Sequence, residues 1–147
     1  MPDVMRTDSV ADALLLLSAS DSARLRLGPP VFDPAGGVTF LADLSGPVVK
    51  ACVNVYELNT SELTRFFDSL AVDWRGWKGV KAYGSLEGQL TLDASCDSLG
   101  HVFVRVTIRE DPGGPNWHAE GTLTLEAGQL ERYALSCRRI FSDQRAA

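Results

Sequence analysis

Histidine and cysteine are scarce in this chain, and their scarcity narrows the chemistry open to it. Of 147 residues two are histidine, His101 and His118, and three are cysteine, Cys52, Cys96 and Cys137. The cysteines stand more than forty residues apart, so none forms a C-x-x-C pair, and three thiols do not all close into internal disulfides. Free thiols suit a reducing compartment. Two histidines without ligand spacing make no metal site, and no metal or other cofactor is expected. Long apolar runs are missing as well. The four leucines of Leu14–Leu17 fall far short of the ~20 apolar residues of a membrane span. Residues 1–9 carry Asp3 and Asp8 against Arg6, where a secretory leader needs a basic start. The expectation is a cytoplasmic chain without a membrane partner.

Positive charge is also in deficit. Fourteen Lys and Arg against nineteen Asp and Glu give a net charge of −5. A chain of that sign is not built to follow a phosphate backbone, so nucleic acid is not an expected partner. The sequence holds no G-x-S-x-G, no G-x-G-x-x-G after a strand and no G-x-x-x-x-G-K-[ST]. Activated-serine and nucleotide chemistry therefore have no support, no catalytic residue is assigned, and a non-enzyme is expected.

What is present reads as a globular fold. Apolar residues are 45% and charged residues 22% of a chain of the usual size for one domain, so residues 1–147 are read as a single domain. Leu63, Phe66, Phe67, Leu70 and Ala71 repeat at helical spacing, with Asn59 or Thr60 as cap and Glu62 completing a capping box with Asn59. A second helix spans residues 127–141 with Leu130, Tyr133, Ala134, Cys137 and Phe141 on one side. Arg138, Arg139 and Arg145 stand at its end, where positive charge suits the helix dipole.

Elsewhere apolar residues alternate with period two. Leu86, Leu90, Leu92 and Ala94 oppose Glu87, Gln89, Thr91 and Asp93. Val102, Val104, Val106 and Ile108 oppose Phe103, Arg105, Thr107 and Arg109, and Ala119, Leu123 and Leu125 oppose His118, Glu120, Thr122 and Thr124. Such strands bury one face and wet the other, the habit of antiparallel sheets. Turn-rich residues 97–100 and 111–115 join these three into a meander, and shorter strands cover about 23–27, 38–44 and 48–56. Leu14–Leu17 reads equally as a strand extension or a helical turn. The expected fold is α+β: a roughly six-stranded antiparallel sheet with two helices packed on one face, in the order βββα-βββα. Half-repeats of about 14–73 and 84–142 would reflect an internal duplication, since Glu62-Leu63-Thr64-Arg65-Phe66 lines up with Gln129-Leu130-Glu131-Arg132-Tyr133.

Between the halves, residues 73–88 crowd together two tryptophans, a tyrosine, four glycines and three basic residues. Indole rings prefer half-buried sites, so Trp74 and Trp77 serve either as plugs at the sheet edge or, with Arg75 and Lys78, as a recognition loop. The runs Asp73-Trp74-Arg75-Gly76-Trp77-Lys78-Gly79, Ser85-Leu86-Glu87-Gly88-Gln89-Leu90, Gly100-His101-Val102 and Glu126-Ala127-Gly128-Gln129-Leu130-Glu131 resemble a bacterial family of small stand-alone proteins of unknown function. The likeness covers about residues 60–142. Tyr83 departs from it, standing where the family pattern carries another tryptophan. The resemblance implies no activity.

Two further groups bear on function. His101 opens a strand and is placed to meet Asp97 or Asp93. Glu87, Asp93, Arg105, Arg109, His118 and Glu120 share the wetted sheet face, where opposite charges on neighbouring strands ordinarily stabilise the sheet. The reading that follows is a non-enzymatic protein-binding module, with a bacterial toxin-immunity or regulatory role as its best form. Trp74, Arg75, Trp77, Lys78, His101 and Arg105 are its binding residues, another protein is its partner, and a homodimer through an open sheet edge is compatible with it. The alternative is a small-ligand binding protein or enzyme, with a pocket between sheet and helices lined by Phe66, Phe67 and Tyr133.

Overall fold

The computed structural model describes residues 13–110 and 118–142. The chain begins with β1 (Leu14–Leu17), β2 (Arg24–Leu27), a two-residue β3 (Val31–Phe32), β4 (Val38–Ser45) and β5 (Lys50–Glu57), then helix α1 (Ser61–Val72). It continues with β6 (Lys81–Gly84), β7 (Leu90–Cys96), β8 (His101–Arg109) and β9 (His118–Glu126), and passes through a 3-10 turn (Ala127–Gln129) into helix α2 (Leu130–Ile140). The expected turn at 111–115, the residues 1–9 and Arg145 lie outside the described residues.

All strand pairings are antiparallel, but they make two sheets rather than the expected single sheet of about six strands. In the first, β2 and β3 share one edge of β4, β5 takes the other, and β1 lies outside β2. The second is the meander β6-β7-β8-β9. The βββα-βββα order is thus corrected to four long or short meander strands before each helix, with β3 as an extra piece in the first half. Three strands escaped the sequence pattern: β3 is only two residues long, and β1 and β6 were missed for different reasons. In β1 the inward Leu14 and Leu16 are buried while Leu15 and Leu17 are 42% and 50% exposed. Its alternation is real, yet four leucines carry no contrast of polarity. In β6 only Tyr83 is fully buried, which is too little for a period to show.

Two boundaries move as well. Gly46 N–H donates to the Val49 carbonyl at 2.8 Å, closing a hairpin, so β5 starts at Lys50 and Val48 stands at the hairpin tip. The β6–β7 connection bends at Gly88, whose φ of +79° strains any other residue, and Gly88 N–H closes on the Ser85 carbonyl at 3.0 Å. Leu86 and Glu87 belong to that turn, and Leu86 is exposed instead of facing the core.

Both sheets turn their apolar faces toward one contiguous core. Leu25, Leu27, Phe40, Ala42 and Leu44 come from the first, and Leu90, Leu92, Val104, Val106 and Leu123 from the second. The helices pack against each other, α1 beside β6 and α2 beside β1, and feed the same core with Leu63, Phe66, Phe67 and Leu70 and with Leu130, Tyr133, Ala134 and Cys137. The sheets meet where Ala19 N–H donates to the Thr124 carbonyl at 2.7 Å and Thr124 N–H donates to Ser18 Oγ at 3.0 Å.

The helix ends differ from expectation. Asn59 Oδ1 accepts the Ser61 N–H at 3.0 Å, but Glu62 turns to Arg65 at 2.8 Å, so no capping box with Asn59 forms. Thr60 Oγ1 instead donates to the Phe141 carbonyl at 2.8 Å, serving the end of α2 from the start of α1. The reciprocal box appears one helix later, between Glu126 and Gln129.

Candidate functional site

The loop after α1 owes its shape to a set of fixed anchors. Asp73 accepts the Gly76 N–H at 2.8 Å, and Gly76 at φ +124° and Gly79 at φ +79° reverse the chain in the left-handed region open to glycine. Trp77 is then tied down on every side. Its indole N–H donates to the Ala94 carbonyl at 3.2 Å, and its backbone N–H reaches Cys96 Sγ at 3.2 Å. The Cys96 thiol in turn donates to the Trp77 carbonyl at 3.3 Å. Lys81 Nζ lies 5.4 Å from the Trp77 ring centre and binds Ser69 Oγ and Asp73 Oδ2 at 2.6 and 2.7 Å. Trp77 packs half-buried against the core as an anchor.

Trp74 is placed differently. It is 51% exposed, with the Arg75 guanidinium 5.1 Å from its ring centre. Its ring helps to line a groove of about 490 Å³ between α1 and the start of α2, together with Ala71, Val72, Gly128 and Glu131. Arg138 Nε approaches Asp68 Oδ1 at 3.0 Å across the same groove. Lys78 is exposed on the loop.

His101 belongs to the same end of the molecule. Gly100, one residue before it, accepts the Ala127 N–H at 2.9 Å, and Ala127 is a wall of the Trp74 groove. His101 Nδ1 lies 2.8 Å from Asp97 Oδ2. The hydrogen bond and the charge of Asp97 raise the imidazole above its ordinary 6.5. Asp97 is lowered below 3.8, chiefly because the His101 N–H donates to it, with the imidazole bond second. Further along the outer face of β8, Arg105 pairs with Asp93 at 3.1 Å and borders a hollow of about 270 Å³ with Val80, Phe103 and Thr122. Of the six residues singled out in the sequence, Trp74 lines the helix groove with Arg75 over its ring, His101 and Arg105 lie on the outer sheet face, Trp77 is fixed to β7, and Lys78 is exposed on the loop. Of the six charged residues expected to share the wetted face, five do so by register, and Glu87 lies in the turn.

The interior holds a polar group that the sequence did not bring forward. Glu57 is 6% exposed at the end of β5, where it accepts the hydroxyl proton of Tyr83 and the Leu86 N–H, the latter at 2.8 Å. Burial, and after it the bond to Glu57, holds the Tyr83 hydroxyl protonated. Parity offered a signal, since Glu57 continues the inward set Ala51, Val53 and Val55. The strand expected over about 48–56 ended just before it, and a buried carboxylate is rare on such a face. The expected aromatic pocket is not formed by its three residues. Phe67 is fully buried with its ring edge-on to Phe66 at 5.2 Å, and Tyr133 is buried where its hydroxyl accepts the Leu17 N–H at 3.4 Å. Cys137 is core, its thiol pushed up to about 12 by burial. Among the described residues, no three His, Cys, Asp or Glu side chains gather as metal ligands. No helix among them is long and apolar enough to cross a membrane.

Comparison with curated proteins and with solved structures finds no match. A family model does match, over residues 16–144. That span takes in both sheets apart from the first two residues of β1, both helices and the tryptophan loop, and the chain therefore belongs to DUF6228, a family of unknown function.

Proposed function

We propose that this protein is a protein-binding module that neutralises or regulates its partner, a bacterial toxin-immunity role being one form of that reading. One observation carries it: a half-exposed tryptophan, Trp74, stacked by Arg75 at the mouth of a groove and held on a loop that Trp77 fixes to the sheet. Folded proteins bury indole where they can. Tryptophan and arginine beside a concave surface are the residue types that dominate binding energy at protein interfaces. A rigid base raises their worth, since little conformational freedom is lost on binding. The exposed Lys78 and the outer face of β8, with His101 and Arg105, add to the candidate surface. The unbroken core supports a single domain for residues 1–147, and the repeated order of a four-strand meander and a helix supports duplication.

The test is affinity purification from the source cells with wild type and the Trp74→Ala/Arg75→Ala variant side by side. Calorimetry with the purified captured protein follows. Each central contact of this kind contributes ~2 kcal/mol or more, about 30-fold in affinity, so the double variant should bind at least that much more weakly. A partner bound equally well by the variant, or no partner separating the two samples, contradicts the proposal.

A further inference from the structure

We infer that the protein forms a two-fold dimer by antiparallel pairing of β5 with β5 of a second copy, Val53 lying on the axis. β5 is eight residues long and pairs with β4 along one edge. Among the described residues no backbone hydrogen bond reaches its other edge. Natural edge strands are kept short, bulged or interrupted by proline, because an open row of N–H and C=O groups invites another strand. β5 has no bulge or proline, and its charged residues, Lys50 and the inward Glu57, stand at its two ends and leave Ala51–Tyr56 uncharged.

The choice of a second copy rests on the two ends of the strand. At one end the hairpin tip presents Val48, 92% exposed, and Val49, 48% exposed. At the other, Leu58 and Leu86, 64% and 54% exposed, line a pocket of about 220 Å³ beside Glu57. A single edge thus carries an exposed apolar pair at each end, Val48 with Val49 and Leu58 with Leu86, and a two-fold axis sets one pair against the other, as a self-complementary contact requires.

Register then follows from the sheet itself. A two-fold axis perpendicular to the sheet sets inward residues opposite inward ones and outward opposite outward, so the axis passes through a residue position. On Val53, itself half-buried against the core, it sets Val48 opposite Leu58 of the second copy, and Lys50 opposite Tyr56. On Cys52 or Asn54 it slides the hairpin tip two residues away from the pocket. On Val53 the outward, exposed Cys52 also faces Asn54 of the second copy.

Sedimentation equilibrium of the full chain tests this from about 1 to about 300 µM, the range that an edge contact of modest area calls for. The expected result is a mass rising from 15.9 kDa toward twice that value. The outward-facing double variant Cys52→Lys/Asn54→Lys should move the midpoint at least tenfold higher, its circular dichroism unchanged. Directly opposed residues of an antiparallel pair have Cα atoms about 4.5–5.5 Å apart, within disulfide reach. Asn54→Cys should therefore yield a covalent dimer on mild oxidation, and Asn54→Cys with Cys52→Ser should not. A monomer at every concentration overturns the inference. So does a dimer indifferent to the lysines, or a cross-link that forms equally well without Cys52. If the lysine variant fails to fold, the paired cross-linking result decides.

Discussion

Glu57 and Tyr83 join the end of the first meander to the start of the second, with a carboxylate inside the protein and a phenol as its donor. Tyr83→Phe removes that donor and leaves the buried carboxylate with the Leu86 N–H. Chemical denaturation should show a loss of about 1–3 kcal/mol, the usual cost of a buried group left short of a partner. An unchanged midpoint would mean that solvent reaches Glu57 freely. The His101–Asp97 pair gives a pH signature of its own. The raised imidazole contributes stability that is whole below 6.5 and is lost as pH rises through its folded-state value. The lowered carboxylate contributes stability present above 3.8 and lost as pH falls through its own value. Both groups are charged between those limits. By NMR the His101 titration should lie above 6.5 and return toward it in Asp97→Asn. Both side chains are only about one-third exposed yet remain open to screening by water, so the reading is the titration and not the stability. The His101–Asp97 contact was legible because four residues across a tight turn bring the two together. Glu57 was not, because the strand expected over about 48–56 stops one residue short of it and a carboxylate gives no apolar mark of burial.

The helices were the most legible elements, since their apolar stripes at helical spacing report burial directly. Leu63, Phe66, Phe67 and Leu70 on α1 and Leu130, Tyr133, Ala134 and Cys137 on α2 are all buried. Their ends were less so. Asn59 and Glu62 suggested a local box, but Thr60 found its partner in Phe141, 81 residues away, a contact that no local pattern encodes. Strands were legible where polarity contrasted along them, as in β8, and invisible where it did not, as in β1. The loop after α1 lies between these cases. Composition marked it as unusual, yet which indole is anchor and which is offered to solvent depends on the reach of Trp77 to Ala94 and Cys96 on the neighbouring strand β7.

Over the whole molecule, two meanders and two helices close around one core, and each half borrows from the other. α1 lies beside β6 and α2 beside β1. Gly121 on β9 leaves room for Leu44 of β4, whose Cδ2 would come within 3.4 Å of a side chain's first carbon there. Pairing of distant segments is what a single sequence encodes least, which is why one sheet of six strands was expected where two sheets of five and four are found. It is this shared interior that fixes the tryptophan loop: Trp77 belongs to the core and Trp74 to the surface. The most direct test of that division is equilibrium unfolding of Trp74→Ala and Trp77→Ala beside wild type. Trp77→Ala should lose about 2–4 kcal/mol, for a half-buried ring and its indole hydrogen bond, and Trp74→Ala less than about 1 kcal/mol. Equal losses in the two variants would contradict the account, because Trp74 would then be structural and the loop after α1 would offer no tryptophan to a partner.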